Sequence, residues 1–351
     1  MEKLLILRLG SMGDVLHALP AAAALRWAFP SATIGWAIER RWSELLCAAG
    51  AEDGPSGSPE KPIVDRLHFI NTMAWRRTLL SSAMWSEAWR AMSVLRAARY
   101  ELAVDFQGAW KSAAVAALSG APQRVGFDRP RERPAALSYT RRVRTTSSHV
   151  VDQNVELAAA VTGQNLDQSA PPLPCSARSE SWADGELQRR GLRQFAMLSP
   201  GGGWGAKLWP AERYGEVAAA LAREGLPSIT NFGPGEEELA HAVMQASEGA
   251  AQPLYCRLGE LIALTRRASL FIGGDSGPMH LAATLGVPVV AIFGPTDPAR
   301  NGPYGTRSIV LRHSASLTSY AHHNLPDDAL RSIPSSEVLH AAHRLLGDAR
   351  G

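Results

Sequence analysis

Short apolar runs that break into a glycine-bearing turn and then a helix recur along this chain, and they restrict its fold more than any other feature. The first run is Leu4 to Leu9, which turns through Gly10-Ser11-Met12-Gly13-Asp14 into an apolar helix from about Val15 to Ala28. Ala32 to Ile38 and Glu101 to Phe106 read as further strands, the second with Leu102, Val104 and Phe106 apolar. The alternation restarts later: strands at Phe195 to Leu198, Ser228 to Phe232, Leu270 to Ile272 and Val287 to Phe293, with helices at Ala211 to Arg223 and Glu236 to Ala246. Strands that alternate with helices pair in parallel, so the chain reads as α/β with two open parallel sheets.

Two sheets suit 351 residues, which is beyond the size at which one core usually stops growing. An apolar fraction of 46% and a charged fraction of 20% supply two cores and argue against general disorder. Gly54 to Pro59 reads as a flexible loop. Ala170-Pro171-Pro172-Leu173-Pro174 reads as a stiff extended linker, because consecutive prolines resist both helix and central strand. The expected division is residues 1–172, residues 173–325 and a terminal amphipathic helix in 326–351, centred on Ser335 to Leu346.

Cys47, Cys175 and Cys256 are too scattered for a disulfide framework or a zinc site, so a reducing compartment is expected. The opening Leu4-Leu5-Ile6-Leu7 run, interrupted by Arg8, is too short for a signal peptide or a membrane span, and any membrane contact would be peripheral. A net charge of +3 mildly favours anionic partners. Arg124, Arg129, Arg131, Arg133, Arg141, Arg142 and Arg144 cluster against only Asp128 and Glu132, as an ordinary solvated face would also allow. Trp75, Trp85 and Trp89 are interspersed with Arg76, Arg77, Arg90 and Arg96, which fits either a helix with its tryptophans on the sheet or an acceptor-binding surface.

Open parallel sheets bind ligands at the loops that leave the strands' carboxyl ends, and the glycine turns lie there. In the first, Asp14 at a helix start is either a cap or a catalytic base. In Ser199 to Pro210, Gly201, Gly202, Gly203 and Gly205 with Lys207 offer unobstructed N–H groups and an ammonium, a cradle for phosphate oxygens that lacks Walker spacing. In Gly273 to His280, Ser276, Gly277 and the helix start can donate to a diphosphate while Asp275 accepts from sugar hydroxyls; a cap at Asp275 and a packed His280 are the plainer alternatives. Acidic residues after Gly233-Pro234-Gly235 could hold ribose hydroxyls or simply suit a helix dipole.

Taken in order, these motifs resemble the ADP-heptose:lipopolysaccharide heptosyltransferases, glycosyltransferase family 9. The carriers are Arg8 to His17, Asp105-Phe106-Gln107-Gly108 with Lys111-Ser112, Lys207-Leu208-Trp209-Pro210, Gly274 to His280, and Gly294-Pro295-Thr296-Asp297-Pro298. The resemblance implies a GT-B fold, two Rossmann-like domains with parallel sheets facing a central cleft, the acceptor mainly on the first and ADP-heptose on the second, with the terminal helix crossing back to the first. It implies Asp14 as general base and Lys207 as support for the donor phosphates. Gly202, Gly203, Glu237, Asp275, Ser276, Gly277 and His280 would meet the donor. Gly10, Ser11, Gly13, Arg76, Gln107, Lys111 and Arg131 would meet an anionic lipid-linked acceptor.

The implied reaction is metal-independent, cofactor-free and inverting, in the cytoplasm or at the cytoplasmic face of the inner membrane, with no role for nucleic acid. The usual donor and acceptor would be ADP-heptose and the Kdo/heptose inner core. Other nucleotide sugars or acceptors, a GT-B nucleotide-sugar epimerase, or a non-catalytic binding protein share the architecture. The N-terminal Gly-Asp loop speaks for transfer.

Overall fold

The computed structural model describes residues 1–72, 81–166, 170–319 and 327–347. They form two compact units, one ending at Ser176 and the other beginning at Ala177.

The first unit runs β1 (Lys3–Leu7), α1 (Met12–Ala28), β2 (Thr33–Ile38), β3 (Arg66–Phe69), α2 (Ser82–Ala97), β4 (Leu102–Asp105), α3 (Trp110–Leu118), β5 (Gln123–Phe127), β6 (Arg141–Val143) and α4 (Val150–Thr162). Its six strands are all parallel, in the order β3-β2-β1-β4-β5-β6. Leu4 to Leu7 are fully buried, as expected of a central strand covered on both faces. Leu5 and Leu7 share a core with Leu95 and Ala98 at the end of α2 and with Val115 and Ala116 of α3, so these two helices cover one face. The other face carries α1, whose alanine-rich flank lies along α4. There Asn154 Nδ2 donates to the His17 carbonyl at 2.9 Å, three residues before the helix-interior Pro20.

The second unit runs α5 (Ala177–Arg189), β7 (Ala196–Ser199), α6 (Ala211–Arg223), β8 (Ser228–Phe232), α7 (Glu237–Ala246), β9 (Ala251–Tyr255), α8 (Leu258–Thr265), β10 (Leu270–Gly274), α9 (Gly277–Thr284), β11 (Val289–Phe293), α10 (Pro298–Asn301), β12 (Ser308–Arg312), α11 (Asp328–Ser332) and α12 (Ser335–Gly347). Its strands are parallel in the order β12-β11-β10-β7-β8-β9. Counted from each unit's own first strand, both sheets have the Rossmann order 3-2-1-4-5-6. The strand order reverses between β1 and β4 in one and between β7 and β10 in the other, and the glycine turns after β1, β7 and β10 flank those reversals.

Three expectations are corrected. The proline stretch is neither helix nor strand, as expected, but the boundary falls after Ser176, not after 172, and the stretch is held to the first unit, with Leu173 buried and Cys175 N–H donating to the Pro59 carbonyl at 2.8 Å. The described part of the terminal helix packs on the second unit, where Val338, Ala341, Ala342 and Leu345 join the core around Trp209 and Tyr214. Trp85 and Trp89 do not rest on the sheet: they are 61% and 77% exposed, while Met84 and Leu95 are the buried residues of α2. Trp75, Arg76 and Arg77 lie outside the described residues.

Candidate functional site

Four loops converge at the carboxyl end of the first sheet. Asp14 is the third residue of α1, and its carboxylate accepts from the Ser11 N–H at 3.0 Å, which is half of a capping box, and from the Arg8 guanidinium. Burial alone would raise its pKa. The Arg8 charge, the Ser11 N–H and the charge of Arg131 outweigh it and hold the carboxyl below its usual range.

Arg8 also donates to the Phe106 carbonyl, and Leu9 N–H donates to Gln107 Oε1 at 2.9 Å, so the loops after β1 and β4 are tied at two points. Gln107 therefore acts first as a strut. Asp105, only 1% exposed, accepts from the Gln107 and Gly108 N–H groups at 2.8 and 3.1 Å and from the Ser112 and Tyr139 hydroxyls, both at 2.8 Å. Burial raises its pKa despite those four donors. Gly126 makes the network possible, since a Cβ there would stand 2.4 Å from the Tyr139 ring. Gly108, at φ +63°, lets the loop of Pro130 and Arg131 pass within 3.2 Å of the place its Cβ would occupy.

Asp105→Ala is expected to leave several buried donors without an acceptor and cost about 3 kcal/mol of stability by urea denaturation. A loss under about 1 kcal/mol would mean that the network is incidental.

Three residues at this end have roles that the sequence did not suggest. Glu39 is buried at the end of β2, accepting from Arg41 at 2.8 and 3.0 Å and from the Thr72 hydroxyl at 3.2 Å. Trp42 presses on Gly10, where a Cβ would meet its Nε1 at 2.8 Å, and that buried N–H has no partner among the described residues. Arg8 entered as a break in an apolar run and as the first residue of the Arg8 to His17 motif, without a role of its own. Its effect on Asp14 gives a signed prediction. A carboxylate with depressed pKa adds stability above its unfolded pKa and loses it as pH falls through the folded value. Arg8→Gln removes the main cation, so the acidic limb of the kcat/KM profile should move to higher pH; an unmoved limb would mean that Arg8 does not set the ionisation of Asp14.

In the second unit, the turn after β7 and the turn after β10 are pressed together, with a Cβ on Gly274 falling 3.2 Å from the Lys207 carbonyl. Lys207 Nζ donates to the Asp275 carboxylate and, at 3.2 Å, to the Asp275 carbonyl, and it lies 4.2 Å above the centre of the Trp204 ring. His280 Nε2 is 3.2 Å from the other Asp275 oxygen. Burial would raise the Asp275 pKa, but the His280 contact and the Lys207 charge hold it far below the carboxylate range. Ser276 precedes α9 and Gly277 begins it, which aims helix-terminal amides at this cluster.

The buried Ser276 Oγ and the Thr296 Oγ1, on a residue only 2% exposed, have no hydrogen-bond partner among the described residues. Gly202 packs against Lys207 and Leu208, whereas Gly203 faces open space. Glu237 sits exposed in the first turn of α7; it is Glu236 that tucks in, accepting from Gly233 N–H at 2.8 Å and filling the space beside Gly201.

Two parallel six-stranded sheets in the Rossmann order, each with glycine turns at its strand-order reversal, define the GT-B class of fold. The model of glycosyltransferase family 9 (heptosyltransferase) matches residues 88–324, and the chain belongs to that family. Lipopolysaccharide heptosyltransferase 1 of Pseudomonas aeruginosa is 29% identical over 319 residues, covering 88% of this chain and 83% of the relative. Its counterpart in Escherichia coli K12 is 27% identical over 314 residues, covering 88% and 93%. The solved E. coli heptosyltransferase WaaC with ADP superposes with a TM-score of 0.78 at 25% identity, over 98% of this chain and 99% of that one.

Proposed function

We propose that this enzyme transfers heptose from ADP-heptose to the Kdo/heptose inner core of lipopolysaccharide, by a single displacement with inversion. The observation that carries the reading is the buried Lys207–Asp275–His280 cluster at the reversal of the second sheet, a preformed site with a cation and sugar-binding acceptors. Relatives named as lipopolysaccharide heptosyltransferases support the choice of sugar and acceptor.

In the reaction, the acceptor hydroxyl oxygen attacks the anomeric carbon as its bond to the diphosphate oxygen breaks. ADP leaves with the electron pair, and Asp14 takes the hydroxyl proton. Negative charge grows on the diphosphate, where Lys207 and the amides of Ser276 and Gly277 stabilise it in the place a divalent ion would take. Gly202, Gly203 and Glu237 complete the donor side, and Asp275 and His280 hold the heptose. Gly10, Ser11, Gly13, Arg76, Gln107, Lys111 and Arg131 serve the anionic acceptor. The depressed pKa of Asp14 keeps it ionised at neutral pH but makes it a weak base, which suits a displacement in which C–O cleavage leads and proton transfer follows.

The acceptor is lipid-linked, so the enzyme works in the cytoplasm at the inner face of the inner membrane. Among the described residues, no helix is long and apolar enough to cross a membrane. Mass spectrometry after incubation of ADP-heptose with Kdo-lipid A, or with heptosyl-Kdo-lipid A, should find one added heptose on one of them. An altered sugar formed from ADP-heptose without acceptor would make the protein an epimerase. No binding or consumption of any nucleotide sugar by folded protein would make it a binding module.

A further inference from the structure

The helix layer of α2 and α3 carries apolar surface that the fold does not use. Besides Trp85 and Trp89, it exposes Val94 on α2, with Trp110 and Leu118 on α3 at 53% and 51%. The short 3-10 helix Arg133–Ser138, packed against α3, adds Leu137 at 84%. Six of the eleven large hydrophobic residues exposed among the described residues thus lie on three neighbouring elements of one face, which is concentration beyond ordinary scatter. Trp85 and Trp89 are one helical turn apart and project from the same side. The same elements carry Arg90, Arg96, Lys111 and Arg133 against a single acid, Glu87.

We propose that this layer docks the enzyme on an anionic lipid bilayer, with Trp85 and Trp89 seated among the headgroups and Arg90 and Arg133 meeting lipid phosphates. The inference rests on the reading that the acceptor is lipid-linked, and it names the surface that brings the enzyme to it. Amphipathic indole rings with cations close by match the composition of an interfacial helix face, and the net positive charge complements an anionic membrane. A second copy is a poorer occupant, because a two-fold contact would set this net-positive face against another of the same sign.

The test is co-sedimentation of the full chain with phosphatidylethanolamine–phosphatidylglycerol vesicles and with phosphatidylcholine vesicles. The wild type should bind the anionic vesicles, bind the neutral ones far less, and detach in high salt. The Trp85→Ser/Trp89→Ser protein should lose about tenfold or more in partitioning, and Arg90→Glu should weaken it further. Both substitutions lie on exposed positions, so turnover of a delipidated, soluble acceptor fragment should be unchanged. Absent binding, or equal binding by wild type and the double variant, would overturn the proposal. So would self-association in sedimentation velocity that the double variant abolishes, which would assign the face to a second copy. Vesicle binding as described with no turnover of any soluble acceptor would refute the functional reading and leave the docking surface standing.

Discussion

Asp14→Asn should lower kcat by about 10²–10⁴-fold while leaving the affinity for ADP nearly unchanged. Asparagine keeps the shape of the side chain and an oxygen for the Ser11 N–H, so the start of α1 retains its cap. What disappears is the proton acceptor. Arg8 loses its carboxylate partner but keeps the Phe106 carbonyl, so the protein should remain folded, at a cost of about 1–3 kcal/mol. Turnover and calorimetric ADP binding on the same preparation separate the two roles. Near wild-type turnover would make Asp14 a helix cap and nothing more, whereas loss of ADP binding together with turnover would point to misfolding.

Lys207→Met should produce a different pattern, with two effects arising from one pair. The ammonium holds a buried carboxylate, so its removal leaves Asp275 with His280 as its remaining close side-chain partner and should destabilise the protein by about 3–5 kcal/mol. It also removes the cation assigned to the leaving diphosphate, which should cost about 10²–10³ in kcat. The double variant Lys207→Met/Asp275→Asn distinguishes them. Neutralising both partners removes the uncompensated charge, so thermal stability should largely return while turnover does not. Turnover that recovers along with stability would reduce Lys207 to a structural counter-ion. Lys207 is paired with Asp275, so a diphosphate bound there as proposed would share or displace that contact.

The central strands were legible because burial on both faces writes them as continuous apolar runs: β1, β7, β8 and β11 lie within a residue or two of where the sequence puts them. Edge strands were not. β6 reads Arg141-Arg142-Val143 and β3 begins at Arg66; part-exposed and short, they carry neither alternation nor a run. The tryptophans of α2 show the limit of helical periodicity, which marks the stripe that Trp85 and Trp89 share but not whether that stripe faces the sheet or water.

Within the site, the glycine turns could be read from their position after strands. The ion pair between Lys207 and Asp275 joins turns 68 residues apart, and no local pattern encodes it. Arg8 is the plainest case of a residue seen without its role. In sequence it looks like a flaw in a buried strand end, and only the fold, by placing β4 beside β1, supplies the Phe106 carbonyl that lets it stay there. Glu39 and Trp42 reach the Gly10 turn from the end of β2 for the same reason.

The claim that Asp14 serves as base in a single displacement is tested most directly by the anomeric configuration of the transferred heptose, read from one-bond carbon–proton couplings in the purified product. Inversion relative to the donor is the predicted result. Retention would require a second displacement or a front-face route, and would contradict the role given to Asp14.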